Sequence, residues 1–501
     1  FFLKRLSSYF LIALCSYSGF SQLIITEISD PNGSGNHYAR YIELYNSSGS
    51  AIDLSGYKII LYTNDNYPDV QDSHTLSGNL NPGEFFILGK QQAKFLSTYG
   101  FEADMYDSGT VDSNGDDQYV LAETDGTVVD VFGILGTDGT GTTSEFEDGR
   151  VERESSVTTP QSTYDVNNFI VDGDNGNGAG AQTAPGGYDP GHWIGAATID
   201  TWNGLSSTAW ATDGNWASGA APLSGDNVFI RDSSTDPIIS TTGVEVTNLT
   251  VESSGVLTIN AGKDLTLSGN FSNSGTVTMN SDANEYSSLI VEGTSSGDIT
   301  YNVWVASTST WDLVGSPVDG ASVDATSLAA NGSDYAIQPY NNQTNAWTQT
   351  TASSVSTTLG KGYAMAMSSA GTVVFTGSVY VTGDGKDYTI SNYDGVSSGT
   401  QWNLVANPYP SFLALNNSTS GTDTDFITQN ASTADVLGSG SNEDAVWAWD
   451  GSTYQTYNNS DGALYIAPGQ GFFVASKSGT SNTLKFLESM QTTNTGDNFI
   501  T

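Results

Sequence analysis

The chain has little of the chemistry that breaks or transforms a substrate. In 501 residues it has one cysteine, Cys15, and three histidines, His37, His74 and His192. Imidazole is the side chain whose ordinary pKa best suits proton transfer near neutrality, and the sequence has neither a Gly-x-Ser-x-Gly nor a His-Glu-x-x-His motif. The glycine-rich stretches open no helix, as a phosphate-binding loop requires. The sequence therefore favours a non-catalytic protein.

Positive charge is also scarce. The chain has 14 Lys and Arg residues against 55 Asp and Glu residues, a formal net charge of −41. Such a polyanion is repelled by nucleic acid and by anionic lipid headgroups, so both are excluded as partners. No apolar run is long enough for a transmembrane helix. The partners left are an extracellular polysaccharide or a surface protein, and the sequence does not specify an oligomeric state.

The first 21 residues have the pattern of an export signal. Lys4 and Arg5 precede a short apolar run, and a Gly-Phe-Ser end offers cleavage before Gln22. We expect residues 1–21 to be a signal peptide and the mature protein to be secreted or held at the outer cell surface. Since Cys15 lies inside this segment, the mature chain can form no disulfide. The chain opens with Phe, and we expect its natural start to lie upstream.

The rest of the chain is predicted to be almost entirely β. Short runs rich in Val, Ile, Tyr and Thr alternate with Gly, Ser, Asn and Asp, and the exception is a helix predicted over Gln91–Tyr99 with Ala93, Phe95 and Leu96 on its buried face. We predict five regions after the signal: a β-sandwich at 22–196, a Trp-rich cap with a short solenoid at 197–300, two β-sandwich repeats at 301–390 and 391–490, and the start of a further region at 491–501.

The first region has six predicted strands that suit a two-sheet sandwich. They are Leu23–Ile28, Arg40–Tyr45, Tyr57–Tyr62, Glu84–Leu88, Gln118–Leu121 and Val128–Phe132. Three motifs in order, Tyr41-Ile-Glu-Leu-Tyr-Asn46, Leu80-Asn-Pro-Gly-Glu84 and Asp125-Gly-Thr-Val-Val-Asp130, are similar to those of the lamin tail domain. The resemblance covers about a third of the chain and implies an immunoglobulin-like sandwich, which is found also in many bacterial secreted proteins. We expect this domain to act as an interaction or adhesion module.

The region 197–300 contains short strands with a common pattern, of which Asn248–Val251, Val256–Ile259 and Asp264–Leu267 are three. Their starts lie 8 to 12 residues apart, and Gly and Asn recur between them. This regularity predicts a small parallel β-solenoid. An antiparallel sandwich with regular turns is the alternative.

The last two regions are predicted to be copies of one unit. Trp311-Asp-Leu-Val314 returns as Trp402-Asn-Leu-Val405, and Gly360-Lys-Gly-Tyr363 returns as Gly469-Gln-Gly-Phe472. An aromatic, Asn-rich strand lies between the members of each pair. The arrangement resembles adhesin-like proteins exported by type IX secretion, and no sorting domain follows it here. We therefore expect the protein to continue beyond residue 501.

Two acidic segments are candidate calcium sites. Asp112, Asn114, Asp116 and Asp117 begin like an oxygen-rich calcium loop, although the sixth position is Asp117 rather than Gly and the twelfth is not Glu. Asp172 and Asp174 form a second candidate. The sequence implies no cofactor firmly, and calcium is the candidate that these segments raise. The favoured interpretation of both segments is an ordinary turn or a solvated surface.

Tryptophans supply the candidate ligand-binding residues. Trp202, Trp216, Trp447 and Trp449 have flat rings suited to stacking on pyranose faces. The competing interpretation is that these rings close the ends of cores.

Two functional hypotheses follow. The first is a non-catalytic, multidomain secreted or surface protein of a Gram-negative bacterium. The alternative is an accessory, non-catalytic region of a larger secreted hydrolase acting on a polysaccharide or a phosphodiester, because lamin tail domains also occur beside catalytic domains.

Overall fold

The computed structural model describes residues 22–173, 178–196, 198–416, 424–438, 444–479 and 481–493. The predicted signal peptide lies outside these residues, as does most of 491–501. Among the described residues, 22–90 and 105–183 form one compact unit, and 91–104 with those from 184 onward form a second.

The first unit is a sandwich of two antiparallel-rich sheets, which confirms the predicted immunoglobulin-like architecture. The strands are β1 (Leu23–Ser29), β2 (Tyr41–Asn46), β3 (Ile52–Asp53), β4 (Tyr57–Tyr62), β5 (Asp72–Thr75), β6 (Asn79–Leu80), β7 (Phe85–Gly89), β8 (Met105–Tyr106), β9 (Gln118–Glu123), β10 (Val128–Phe132), β11 (Arg150–Arg153) and β12 (Phe169–Val171). One sheet has the strand order β12-β11-β1-β2-β7-β8, the other has the order β10-β9-β4-β5, and β3 pairs with β6.

A buried ion pair joins the two sheets of this sandwich. Asp130 and Arg153 are both fully buried and bonded to each other. The register of β1 shifts beside Ile25, and the freed Ile25 N–H donates to Asp130 Oδ2 at 2.8 Å. Asp130 Oδ1 accepts from the backbone of Gln161 at 2.8 Å. Because every bond to this carboxylate comes from a different segment, the pair ties β1, β10 and β11 together.

The predicted helix is present in the second unit as α1 (Gln92–Tyr99), although its buried face differs from the prediction. Phe95, Thr98 and Tyr99 are buried, whereas Ala93 is exposed. Phe95 and Tyr99 are four residues apart and therefore lie on one helix face, with ring centroids 4.8 Å apart. Gly100 ends the helix in a left-handed conformation, and its N–H donates to the Leu96 carbonyl at 2.9 Å.

The second unit continues as a parallel β-solenoid of about four turns over residues 227–302, as predicted. Each full turn contributes one strand to each of three sheets. Asn227 pairs with Asn248 on the next turn, so one turn takes 21 residues. The short strands predicted 8 to 12 residues apart are therefore successive sides of one turn and not successive turns. The strands are β13 (Ile199–Thr201), β14 (Asn227–Ile230), β15 (Ile238–Ile239), β16 (Val244–Val246), β17 (Asn248–Val251), β18 (Val256–Ile259), β19 (Asp264–Leu267), β20 (Phe271–Asn273), β21 (Thr276–Asn280), β22 (Ser288–Val291), β23 (Ser295–Ser296) and β24 (Asp298–Val305).

Two β-rich repeats follow the solenoid, and their central sheets have the same strand order. The strands of the first are β25 (Asp312–Val314), β26 (Ser322–Asp324), β27 (Ala330–Asn331), β28 (Asp334–Tyr335), β29 (Ile337–Asn341), β30 (Ala346–Trp347), β31 (Ser354–Ser356), β32 (Tyr363–Met365) and β33 (Gly371–Ser378). Those of the second are β34 (Lys386–Ile390), β35 (Trp402–Ala406), β36 (Phe412–Ala414), β37 (Ala445–Trp449), β38 (Tyr454–Asn458), β39 (Tyr465–Ile466), β40 (Gly471–Ala475), β41 (Asn482–Phe486) and β42 (Gln491–Thr492).

The central sheet of the first repeat has the order β25-β32-β29-β30, and that of the second has the order β35-β40-β37-β38. The antiparallel pair β24-β33 of the first repeat is matched by the pair β34-β41 of the second.

The two repeats join through reciprocal backbone contacts. Val314 bridges to Gln470, and the equivalent residues Val405 and Lys361 form the same bridge in the opposite sense. The Gly315 N–H donates to the Gly469 carbonyl at 2.7 Å, and the equivalent Ala406 N–H donates to the Gly360 carbonyl at 3.0 Å. Equivalent groups that exchange places in this way define a local two-fold relation, as in an isologous dimer interface.

Short helical turns complete the described structure. They are the 3-10 turns Asn36–Ala39, Leu54–Gly56, Val166–Asn168, Ile194–Ala196, Asp213–Asn215, Ala325–Ser327 and Glu488–Met490, and a π-helical turn, Thr428–Thr433. In the part of the chain that the structure describes, no helix combines the length and the apolar character needed to cross a bilayer.

Candidate functional site

Aromatic side chains gather where the central sheets of the two repeats meet. In the first repeat the hairpin β29-β30 places Tyr340 opposite Trp347, with ring centroids 5.3 Å apart. In the second the hairpin β37-β38 places Trp449 opposite Tyr454, with centroids 5.0 Å apart. These two pairs are equivalent in the duplicated fold. A cross-strand aromatic pair holds both rings on one face of the sheet.

Each pair contributes to two neighbouring clefts. Cleft A has a volume of about 400 Å³ and is lined by Tyr340, Asn345, Trp347, Trp402, Trp447, Tyr454 and Phe473. Cleft B has a volume of about 370 Å³ and is lined by Ser309, Thr310, Trp311, Leu313, Gln338, Trp347, Ala364, Trp449 and Tyr454. Trp347 and Tyr454 therefore belong to both clefts.

The two clefts are equivalent under the local two-fold relation. Trp402 begins the sequence Trp-Asn-Leu-Val as Trp311 begins Trp-Asp-Leu-Val. Trp447 is in register with Phe473, and Gln338 is in register with Ala364. The equivalent pairs are thus Trp402 and Trp311, Trp447 and Gln338, Phe473 and Ala364, Tyr340 and Trp449, and Trp347 and Tyr454. The two copies thus carry two versions of one aromatic depression.

Packing fixes the rings of cleft A. Phe473 is 7 % exposed. Its ring centroid lies 5.1 Å from that of Tyr340 and 5.6 Å from that of Tyr454, and both contacts are edge to face. Trp402 lies edge to face with Trp447 at 4.5 Å. Edge-to-face contacts are favourable because the positive edge of one ring meets the negative face of the next. The cleft therefore exists before any ligand binds.

Hydrogen bonds orient the rings at the rims. The Tyr340 hydroxyl donates to Asn345 Oδ1 at 2.7 Å, and Trp449 Nε1 donates to the Thr310 carbonyl at 2.8 Å. Trp347 is 36 % exposed and Tyr454 is 44 % exposed, so both offer ring surface to solvent. Among the described residues, the lining of both clefts consists of aromatic, amide, hydroxyl and apolar side chains, without a charged one. Such a surface suits a neutral ligand with apolar faces and hydroxyl groups.

Of the four tryptophans predicted to stack on sugars, two line the clefts and two are buried in the core of the solenoid. Trp447 and Trp449 line the clefts. Trp202 and Trp216 are 0 % and 1 % exposed and pack edge to face at 5.0 Å over the first end of the solenoid core. These two rings are buried in the core and offer almost no surface to solvent, as the competing interpretation given above has it.

Sequence reasoning missed most of the cleft residues. Tyr340, Trp347, Trp402, Tyr454 and Phe473 were not singled out as binding residues, although the aromatic strands on which three of them lie were recognised as part of the duplication. Aligning the two copies would have paired the aromatic positions. That alignment does not reveal that the two sheets face a shared depression, because the contact depends on how the copies are joined.

The first candidate calcium segment is split by the fold. Asp112 is on the surface, where it pairs with Arg40 at 3.2 Å and with Lys90, and Asn114 is exposed. Asp116 and Asp117 are buried, and they accept hydrogen bonds from Thr140 Oγ1 at 2.9 Å and from the Asn64 N–H at 3.0 Å. Burial raises the pKa of Asp117 to about 6.

The second candidate segment is partly visible. Asp172 is buried, and its carboxylate accepts hydrogen bonds from the Ala179 N–H and the Gln182 amide. Asp174 lies outside the described residues. Within the described ranges, no group of three or more His, Cys, Asp or Glu side chains is placed to hold a metal ion. Calcium binding therefore stays a prediction.

The histidines have acidic or exposed surroundings. His74 Nδ1 is 2.8 Å from Asp107 Oδ2, and His192 Nδ1 is 3.1 Å from Asp189 Oδ2. The other ring nitrogen of His74 is buried, and no described residue, hydroxyl side chains included, forms a hydrogen bond with it. His37 lies in a surface turn, and burial together with the nearby Lys90 and Arg40 lowers its pKa.

Two family models match the chain. A model of the Lamin Tail Domain matches residues 17–136, and the chain therefore contains a lamin tail domain at its N-terminal end. A second model, described as Domain of unknown function (DUF8693), matches residues 201–501, more than half of the chain. The chain belongs to the DUF8693 family. No curated protein matches the chain.

The DUF8693 match covers the solenoid and both repeats. The described lining residues of both aromatic clefts therefore lie inside the DUF8693 part of the chain. The comparisons thus assign the clefts to a segment whose family description names no ligand.

Proposed function

We propose that this protein is a secreted, non-catalytic polysaccharide-binding protein whose aromatic clefts take neutral sugar rings. The lamin tail domain serves as an interaction or adhesion module in this proposal, and the solenoid serves as a spacer. The observation that carries the proposal is the pair of equivalent, uncharged aromatic clefts. The signal-like first 21 residues support export to the compartment in which such polymers occur.

The chemistry of the clefts favours a neutral sugar over other ligands. Flat indole and phenol rings match the apolar faces of a pyranose, while Asn345 and Gln338 place amide groups at the rims to bond its hydroxyls. An anionic polymer would approach a chain of net charge −41 against repulsion. No described residue that lines either cleft is a cation that could offset that repulsion.

A binding panel tests the proposal. The protein is incubated with cellulose, xylan, chitin and mannan, with alginate and pectate as anionic polymers, and the depletion of protein from solution is measured. We expect retention on at least one neutral polymer and none on the anionic ones. Trp347→Ala and Tyr454→Ala remove rings shared by both clefts, and each should weaken retention at least about tenfold, the loss typical of a central aromatic contact.

Tyr38→Ala is the matched control for Tyr454→Ala, because Tyr38 and Tyr454 are both 44 % exposed and Tyr38 lies in the lamin tail domain. Its binding should equal that of the wild type. Absence of retention on every neutral polymer, or retention that is unchanged in both cleft variants, would contradict the proposal.

A further inference from the structure

We infer that clefts A and B are consecutive subsites for one linear β-1,4-linked chain, with cleft A the tighter subsite. This inference rests on the polysaccharide binding proposed above. It adds the ligand's linkage class, the number of sugar-binding positions and the different strengths of the two positions.

The shared wall supports a single ligand. Trp347 and Tyr454 line both clefts, so the two depressions adjoin without an intervening element. A chain that leaves one cleft meets the other at once, and filling the second cleft then becomes an intramolecular step. Linked binding events of this kind raise affinity without any new type of contact.

Divergence between the copies supports unequal subsites. Cleft A has Trp402, Trp447 and Phe473, where cleft B has Trp311, Gln338 and Ala364. Cleft B thus has no aromatic ring at two of these three positions, and at one of the two, Gln338, it has an amide instead. Cleft A therefore provides more stacking surface, whereas cleft B provides a hydrogen-bonding group.

The aromatic walls of both clefts favour sugars whose ring faces present C–H groups, as in β-1,4-linked gluco- or xylo-type chains. In these sugars every ring hydroxyl is equatorial, so both faces of each ring present C–H groups and the chain is a flat ribbon. The clefts are related by a local two-fold, so a chain crossing both runs through them in opposite senses. Stacking on ring faces tolerates this reversal because it does not depend on the direction of the chain.

A length series provides the first test. Cello-oligosaccharides and xylo-oligosaccharides of two to six residues are titrated into the intact protein by calorimetry. We expect one oligosaccharide per protein and an affinity for the hexasaccharide at least about tenfold above that for the disaccharide. Trp311→Ala should abolish this gain and leave disaccharide binding within about twofold of wild type, whereas its equivalent, Trp402→Ala, should weaken both.

Exchanging the residues of the equivalent pair gives a test that misfolding cannot mimic. Gln338→Trp gives cleft B the residue of cleft A, and we expect it to raise hexasaccharide affinity at least about threefold. Trp447→Gln gives cleft A the residue of cleft B, and we expect a loss of about tenfold or more. A gain in the first variant and a loss in the second would together establish the unequal subsites.

The outcomes separate this inference from the proposed function. Two oligosaccharides per protein, or an affinity independent of length, would overturn the single-chain inference while polysaccharide retention through Trp347 and Tyr454 stands. Retention of only a polymer with another linkage would overturn the β-1,4 assignment alone. Loss of all retention would overturn both proposals.

Discussion

Asp312 and Asn403 occupy equivalent positions in the two repeats. Each accepts a backbone hydrogen bond, Asp312 with a carboxyl oxygen and Asn403 with an amide oxygen. Asp312 is 3 % exposed and accepts a hydrogen bond from the Ala306 N–H, at the end of β24. Asn403 Oδ1 accepts from the Ser391 N–H at 3.0 Å, at the end of β34. Burial raises the pKa of Asp312 to about 6, because the charged form is removed from water. The second copy meets the same requirement with a neutral side chain.

Replacing Asp312→Asn should stabilise the protein at neutral pH. A carboxyl whose pKa is raised on folding contributes stability that is present below its unfolded value near 3.8 and is lost as pH rises through about 6. We expect the variant to gain about 1–3 kcal/mol of unfolding free energy at pH 7.5, and the gain to vanish near pH 4. Urea unfolding at a series of pH values measures both effects.

The reverse exchange, Asn403→Asp, is the matched control. It places a carboxyl in the equivalent half-buried position and removes an amide that donates to Ser391 and Gln401. We expect a loss of stability at pH 7.5 that lessens as the pH falls. A destabilised Asp312→Asn variant, or an effect independent of pH, would contradict the burial argument.

Among the strands, close approach of the two repeats depends on glycine. A Cβ added at Gly471 in β40 would lie 2.7 Å from the Leu313 carbonyl carbon, and one added at the equivalent Gly362 would lie 2.7 Å from Leu404 Cγ. These glycines are the second of each Gly-x-Gly motif that the duplication repeats. The motif therefore exists so that one strand can cross the other at short range.

Gly471→Ala should destabilise the protein by about 1–3 kcal/mol, because the added methyl meets backbone atoms that cannot rotate away. Differential scanning calorimetry measures the shift in Tm. Gly462→Ala is the control, since Gly462 is exposed and a Cβ there would have no neighbour within 4 Å. Equal Tm values for the two variants would show that the strands do not meet as closely as described.

The net charge of −41 acts on the molecule as a whole. Like charges destabilise a compact chain, and added salt screens them: the Debye length falls from about 30 Å at 0.01 M to about 8 Å at 0.15 M. The ion pairs of the fold weaken over the same range, but exposed pairs contribute little. The repulsion therefore dominates the salt dependence.

We expect Tm to rise by about 2–5 °C between 0.01 and 0.3 M NaCl, and by the same amount in KCl, because screening depends on ionic strength and not on the cation. Thermal scans in the two salts measure this. A fall in Tm with salt would contradict it. A larger rise in millimolar CaCl₂ than in MgCl₂ of equal ionic strength would instead indicate the predicted calcium site.

Local chemistry was enough to predict the elements of this protein. Alternating apolar residues and glycine-containing turns place β4 and β10 at their observed bounds, and the motifs after Tyr41 identify the lamin tail domain. The duplicated tetrapeptides at Trp311 and Trp402 predict two copies with one topology. Side-chain period, turn residues and repeats are properties of short segments, so a linear pattern carries them.

Long-range packing decided the rest. The acidic positions from Asp112 to Asp117 are close in sequence, but two face solvent and two face the core, because the pleat and the turn set their directions. Trp202 and Trp449 have the same side chain, yet one closes a core and the other lines a cleft. Whether a tryptophan is buried in a core or lines a cleft depends on which distant segments of the chain pack against it. Composition and order thus dictate β-structure and duplication, whereas the clefts arise only when the two copies cross.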